Sequence, residues 1–229
     1  RAAFLLPAGT ISPDSGAPPW MTNFSTATRV NGRMAGVPRD DAWRLVTEWV
    51  QSDSLRKHLL GVEAAMRAYA RKWGDDEELY AVTALVHDLD YERYPDLDTG
   101  HPRHALEELE KRGYPREVID AVAGHADFLE VPRETRMAKT LYAVDELSGF
   151  IAACALVRPT GIEGMKPKSV KKKLKQPSFA AAVDREQVHR GIEELGVDPD
   201  EHMTLVIAAL AEHADELGLG PRGGAESPA

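Results

Sequence analysis

The feature that most constrains the fold of this chain is the three- and four-residue spacing of its apolar side chains, which begins near Asp40. The first residues to show it are Trp43, Val46, Trp49 and Val50. Such spacing places apolar side chains on one face of an α-helix, whereas a half-buried strand alternates apolar and polar residues. No convincing series of alternating strands occurs in the sequence. We therefore predict an all-α fold.

Glycines, prolines and capping residues divide this helical stretch into separate elements. The predicted helices are Leu55–Trp73, Glu77–Asp88, His101–Arg112, Arg116–Phe128, Thr135–Val157, Arg185–Leu195 and Asp200–Leu217. Between the second and third of these, Asp90–Gly100 contains Pro95 and is predicted to be a loop. Because it directly follows the most polar helix end, we expect it to form one wall of a pocket.

The ends of the chain lack helical periodicity. Residues 1–37 are rich in Pro, Gly, Ser and Thr, and we interpret them as a disordered or expression-derived leader, with Met21 or Met34 as candidate native starts. Residues 38–217 are predicted to form one helical domain with a core at 54–157 and a C-terminal helical extension at 158–217. Residues 218–229 are predicted to be a flexible tail.

Composition limits the classes of partner and compartment. The net charge of −9 argues against broad binding to nucleic acids or anionic membranes. No apolar stretch reaches the roughly 18 residues that a membrane span requires. The single cysteine, Cys154, excludes an intrachain disulfide framework, which fits a cytoplasmic location.

His87 and Asp88 end the apolar run Leu79–Val86, where an imidazole and a carboxylate are costly unless something binds them. A metal ion is the usual partner, and these donors suit iron, manganese, cobalt, nickel or zinc. Asp145 lies mid-helix among apolar residues and is a further candidate ligand, although an ion pair with a lysine or arginine is the alternative. His58 shares a face with Val62 and points inward, as a ligand or as a satisfied core histidine.

Five of the eight histidines lie between residues 58 and 125. His101 and His104 are three residues apart, so both can face one cavity, and His125 shares an inward face with its apolar neighbours. The remaining three are His189, His202 and His213. These three lie on amphipathic C-terminal helices, and we predict that they are on the surface without a role in the site.

The series His58, His87-Asp88 and Asp145 resembles the four-ligand signature of the HD-domain superfamily, helical proteins that are mostly metal-dependent phosphohydrolases. The segments His58–Ala65, Ala84–Asp88 and Ala143–Leu147 also match in local context. The resemblance covers roughly residues 54–157 and implies an HD-type helical bundle, here with additional C-terminal helices.

The extra histidines resemble those of HD proteins with two metals. The segment His101–Ala105 is similar to a His-x-x-x-Gly segment, with Ala in place of Gly, which implies that His101 and His125 hold a second ion. His104 would then face the substrate, although an exchange of His101 and His104 stays open. The resemblance further implies that Asp88 bridges the ions as the catalytic residue, and that His58, His87 and Asp145 hold the first. We expect one or two divalent transition metal ions per chain.

For hydrolysis, the resemblance implies that a metal-bound water attacks the phosphorus of a small anionic substrate, such as a nucleotide. Many relatives carry a lysine shortly after the His-Asp pair; Asp90 stands near that place here, and Arg93 is a candidate substitute. Lys168 and Lys172 belong to a basic run on one predicted helix face and, with Arg158, could contact a polyanion. The alternative for that run is a solvated helix face.

Two other functions share the same ligand set. Similar histidines and aspartates occur in HD non-haem di-iron oxygenases, and a metal that only supports the fold would suit a non-catalytic regulatory module. The oligomeric state is left open by the sequence.

Overall fold

The computed structural model describes residues 37–222 and, before them, the backbone of two short strands, Arg29–Val30 (β1) and Arg33–Met34 (β2). These strands pair antiparallel, with Arg29 opposite Met34. The predicted leader lies almost entirely outside the described residues, as does the predicted tail from residue 223; the first residues of that tail, 218–222, are described, and Leu219 among them is buried and bonded to Ile162. None of the helices in the described part combines the length and apolarity that a membrane crossing requires.

Helices dominate the described residues, which confirms the predicted all-α fold. The helices are α1 (Arg39–Trp49), α2 (Asp53–Trp73), α3 (Glu77–Val86), α4 (Arg103–Lys111), α5 (Arg116–His125), α6 (Arg136–Leu156), α7 (Pro167–Leu174), α8 (Arg185–Leu195), α9 (Pro199–Glu212) and α10 (Ala214–Leu217). A 3₁₀ turn, Asp127–Leu129, follows α5.

Local capping explains where the main helices begin and end. The Ser52 side chain accepts a hydrogen bond from the backbone N–H of Leu55 at the start of α2, and the Asp76 carboxylate caps α3 in the same way. These caps satisfy N–H groups that have no partner within the helix. Gly74 ends α2 in the left-handed conformation, with φ of 72°, which glycine adopts without strain.

Several predicted helices are shorter than expected: α4 spans Arg103–Lys111 rather than His101–Arg112, and the predicted helix Asp200–Leu217 is divided into α9 and α10. α3 ends at Val86 rather than Asp88, and α5 ends at His125 rather than Phe128. After α3 the chain forms turns in which the backbone N–H of Tyr94 bonds to the Asp90 carbonyl. Asp88 therefore lies just outside the helix, which frees its carboxylate to face several elements at once.

The two longest helices, α2 and α6, form the centre of the bundle. α2 packs against α3, α6 and α9, while α5 and α8 pack against α6. The contact between α8 and α6 is close, because a Cβ on Gly191 would lie 2.7 Å from the Cα of Ala143. This packing brings the first turns of α2, the ends of α3 and α5, and the middle of α6 to one place.

The prediction that His202 lies on the surface is wrong. His202 is only 1% exposed because α9 packs against α2 and α6. Its Nδ1 lies 2.5 Å from the Tyr69 hydroxyl, and its Nε2 lies 3.2 Å from the Ala143 carbonyl. Burial lowers the pKa of His202 to about 4, so it is neutral at pH 7. His189 and His213 are exposed, as predicted.

Candidate metal centre

Six side chains that the sequence nominated as ligands meet where α2, α3, α5 and α6 converge. They are His58 in α2, His87 and Asp88 after α3, His101 before α4, His125 at the end of α5, and Asp145 in α6. His87 is fully buried, and His101 and His125 are nearly so. The cluster thus draws its members from segments up to 87 residues apart in sequence, His58 to Asp145.

The two carboxylate oxygens of Asp88 face different histidines. Its Oδ2 lies 3.8 Å from Nε2 of His58 and 3.5 Å from Nε2 of His87. Its Oδ1 lies 3.4 Å from Nε2 of His101 and 3.5 Å from Nε2 of His125. Asp88 is therefore shared between a His58/His87 side and a His101/His125 side of the cluster.

Asp145 belongs to the His58/His87 side. Its Oδ1 lies 3.0 Å from Nε2 of His58 and 3.4 Å from Nε2 of His87. The carboxylate thus faces histidines rather than the lysine or arginine that was the alternative partner for a mid-helix aspartate.

The ring orientations of His87 and His125 are fixed by backbone carbonyls. Nδ1 of His87 lies 2.7 Å from the Ala84 carbonyl, and Nδ1 of His125 bonds to the Val122 carbonyl. A carbonyl only accepts, so the neutral imidazole carries its hydrogen on Nδ1 and presents a lone pair at Nε2. Nε2 of His87 is buried without a hydrogen-bond partner among the described atoms. Both rings are thus prepared to bind a cation through Nε2.

His101 is oriented by Asp90, a residue whose importance the sequence did not reveal. Nδ1 of His101 lies 2.8 Å from Oδ1 of Asp90, and the backbone N–H of Ala105 donates to Oδ2 at 2.8 Å. Asp90 is fully buried although it lies in the predicted loop. The one available signal was its position two residues after Asp88.

A cation fits between these lone pairs. Nε2 of His101 and Nε2 of His125 lie only 3.2 Å apart, and Nδ1 of each ring has its own acceptor. Two lone pairs at this distance repel unless a proton or a metal ion lies between them. The potential ligands form two groups, His58/His87/Asp88 and Asp88/His101/His125. Within each group the donor atoms all lie within 4.8 Å of one another. Imidazole and carboxylate donors suit divalent transition metals.

The electrostatics of the cluster favour bound positive charge. Burial alone would lower the pKa of His87, but the carboxylates of Asp88 and Asp145 outweigh it and raise the pKa to about 9. Burial alone would raise the pKa of both aspartates, yet the charge on His87 holds each of them below its usual range. Both carboxylates are thus ionised at neutral pH, and a metal ion would displace the proton from His87.

Comparison with known families agrees with this geometry. Residues 55–149 match a protein-family model described as HD domain. This chain contains an HD domain. The matched segment includes all six clustered side chains. No curated protein shows significant similarity to the chain. HD domains bind divalent metals and are generally metal-dependent hydrolases, so the fold and the donor set point to the same type of chemistry.

A cleft of about 560 Å³ opens over the cluster of candidate metal ligands in the HD domain. Besides the clustered side chains, its wall contains Asp127, Glu146 and Asp184. Burial, together with the charge on Asp145, raises the pKa of Glu146 to about 7, so this carboxyl group holds a proton for part of the time near neutral pH. Among the described residues that line the cleft, none is a lysine or an arginine.

The structure does not bring the other predicted substrate-binding residues to this cleft. Arg93 donates hydrogen bonds to the carbonyls of Glu48 and Trp49 at the end of α1. Arg158 donates to the carbonyls of Gly161 and Glu163 after α6. Both guanidinium groups are thus engaged with backbone carbonyls outside the cleft, and the structure lends no support to their predicted contact with substrate.

His104 and the lysines of α7 also lie outside the cleft wall. The His104 ring packs on Tyr94, with ring centroids 4.0 Å apart. This placement favours His101 over His104 in the metal cluster. Lys168 and Lys172 are on the exposed side of α7, which is the solvated face that the sequence left open as the alternative.

Proposed function

We propose that this protein is a metal-dependent phosphohydrolase that binds two divalent transition metal ions and acts on a small phosphorylated compound, with nucleotides as the first candidates. The observation that carries the proposal is the position of the Asp88 carboxylate. Its two oxygens face two separate groups of histidine Nε2 atoms. HD domains are metal-dependent hydrolases in general, which supports hydrolysis as the reaction type.

In this proposal His58, His87, Asp88 and Asp145 would hold one ion, and Asp88, His101 and His125 would hold the other. When bound, the ions would supply a water of lowered pKa and positive charge for the phosphoryl oxygens. The chain itself fixes the imidazole tautomers through the carbonyls of Ala84 and Val122. It also keeps Asp88 and Asp145 ionised, so the site is prepared for cations before they bind.

A non-haem di-iron oxygenase is the second candidate. The same six side chains would hold iron, and one feature of the cleft favours this reading. The described lining residues include no lysine or arginine, which are common partners of phosphate.

Metal analysis followed by activity measurement tests the proposal. Protein purified anaerobically should contain close to two metal ions per chain, and the His101→Ala and His125→Ala variants should each contain close to one. His104→Ala is the matched control, because this histidine lies one turn from His101 but outside the cluster, and it should retain both ions.

Metal-loaded protein should hydrolyse at least one member of a phosphoester panel that includes nucleotides and dinucleoside polyphosphates, and Asp88→Ala should abolish this activity without unfolding the chain. One ion per chain, unchanged in both histidine variants, would contradict the dinuclear site. Absence of hydrolysis across the panel, with oxygen consumption by an iron-loaded mixed-valent form, would replace the phosphohydrolase with the oxygenase.

A further inference from the structure

Large apolar side chains are exposed at the mouth of the metal cleft. Tyr91, Leu97 and Phe128 are 45%, 49% and 44% exposed, and all three line the cleft. They are half of the six large hydrophobic residues that are exposed in the described part of the chain. Single exposed hydrophobic residues are ordinary, but several at the rim of one cavity mark a surface that contacts a ligand.

Specific contacts hold this apolar rim in place. Arg103 donates a hydrogen bond to the Leu97 carbonyl at 2.7 Å, and its guanidinium carbon lies 5.6 Å from the centre of the Phe128 ring. The Tyr91 ring meets the His101 ring edge to face, with centroids 5.2 Å apart. The apolar rim therefore begins directly beside a metal-binding histidine, and Arg103 joins its other two members.

The charges in the cleft wall oppose a highly anionic substrate. Asp127 is already paired with Arg133 and Arg190, and Asp184 caps α8, so neither attracts a cation strongly. No described lining residue supplies positive charge from the chain. Phosphate groups beyond the one at the metal cluster would therefore meet no cationic side chain in the cleft wall.

We propose that Tyr91, Leu97 and Phe128 form a subsite for a planar aromatic group, so that the cleft prefers a substrate that carries one phosphate and an aromatic group to one with a chain of phosphates or with no aromatic group. Aromatic side chains bind aromatic rings through stacked or edge-to-face contacts. The subsite rests on the proposed function for the position of the phosphate, whereas its preference for an aromatic group rests on the rim alone.

Binding of non-hydrolysable phosphonates tests the subsite independently of activity. Calorimetric titration of the manganese-loaded protein should give at least about tenfold tighter binding of benzylphosphonate than of methylphosphonate. The reason is that the benzyl ring gains aromatic contacts and its apolar surface is removed from water. Removal of one rim side chain, in Leu97→Ala or Phe128→Ala, should reduce this preference by roughly 3- to 10-fold. Binding of methylphosphonate should stay unchanged in both variants.

Leu156→Ala is the matched control, since Leu156 is 44% exposed and does not line this cleft. It should keep the full preference. Equal affinity for the two phosphonates, or a preference that persists in Leu97→Ala and Phe128→Ala, would overturn the subsite. A benzyl preference in a protein that hydrolyses no phosphoester would retain the subsite and reject the phosphohydrolase. Hydrolysis of a phosphoester without any preference for the benzyl group would reject the subsite and retain the phosphohydrolase.

Discussion

Asp90→Asn is the substitution that best separates the two sides of the proposed metal site. Asp90 is fully buried, and each of its oxygens accepts one hydrogen bond, from His101 Nδ1 and from the Ala105 N–H. Asparagine has nearly the same volume but offers only one accepting oxygen. In either orientation its NH₂ group faces one of these two donors, His101 Nδ1 or the Ala105 N–H. The side chain therefore loses the Ala105 bond, or it forces the hydrogen of His101 from Nδ1 to Nε2.

The expected cost falls on one ion. Loss of a residue that orients a metal-binding histidine typically lowers metal affinity by about 10- to 100-fold, which is about 1.4 to 2.7 kcal/mol. His101 is the affected candidate ligand, so an ion on the His101/His125 side should bind more weakly by this factor. None of the described hydrogen bonds and ion pairs of His58, His87 and Asp145 involves Asp90. An ion on their side should therefore keep its affinity.

Calorimetric titration with Mn²⁺ resolves the two affinities. Asp96→Asn is the matched control, because Asp96 lies in the same loop, is exposed, and accepts only from the local backbone and Thr99. It should titrate like the wild type. Two ions bound with unchanged affinity in Asp90→Asn would refute the positioning role. An equal loss at both sites, with a lowered melting temperature, would show instead that Asp90 acts only on the fold.

Two further predictions concern stability. The pKa of buried His202 is lowered from 6.5 to about 4. Between these pH values the unfolded chain binds a proton that the folded chain does not. The free energy of unfolding should therefore fall by about 3 kcal/mol as the pH drops through this window. Urea denaturation at pH 7 and pH 4 should show this loss, and His202→Gln should lack that part of it. Gly191→Ala should lower the free energy of unfolding by about 1 to 3 kcal/mol, because its Cβ meets the Ala143 backbone. Gly61→Ala is the control: its Cβ would lie 4.0 Å from its nearest neighbours, and it should be neutral or stabilising in thermal melts. Equal melting temperatures for the two variants would contradict the close approach of α8 to α6.

The helices could be predicted because their determinants are local. Apolar spacing and the caps at Ser52, Asp76 and Gly74 lie within a few residues of the boundaries they set. The end of α3 was misplaced by two residues, because it depends on the turns that follow Val86. The burial of His202 could not be predicted either, since it depends on α9 packing against helices distant in sequence.

The ligand candidates could be nominated because polar residues on apolar helix faces are costly without a partner. Asp90 escaped this reasoning, since a carboxylate in a loop is ordinarily exposed, and its burial depends on the return of α4 to the same place. Arg93 was proposed from its charge and its place shortly after the His-Asp pair, and Arg158 from its charge and the basic run that follows it. Their positions are set by backbone carbonyls at the end of α1 and in the turns after α6, which no pattern of charge reveals.

Helix ends account for the orientation of two of the histidines. His87 and His125 each lie at the C-terminal end of a helix, and each donates Nδ1–H to the carbonyl three residues earlier. Such carbonyls have no partner within the helix, so the same bond satisfies the helix end and fixes the tautomer. His101 precedes its helix and has no such carbonyl, which is why it requires a separate carboxylate. The local bonds of His87 and His125 should therefore survive changes elsewhere in the cleft, whereas the Nδ1 hydrogen bond of His101 depends on Asp90.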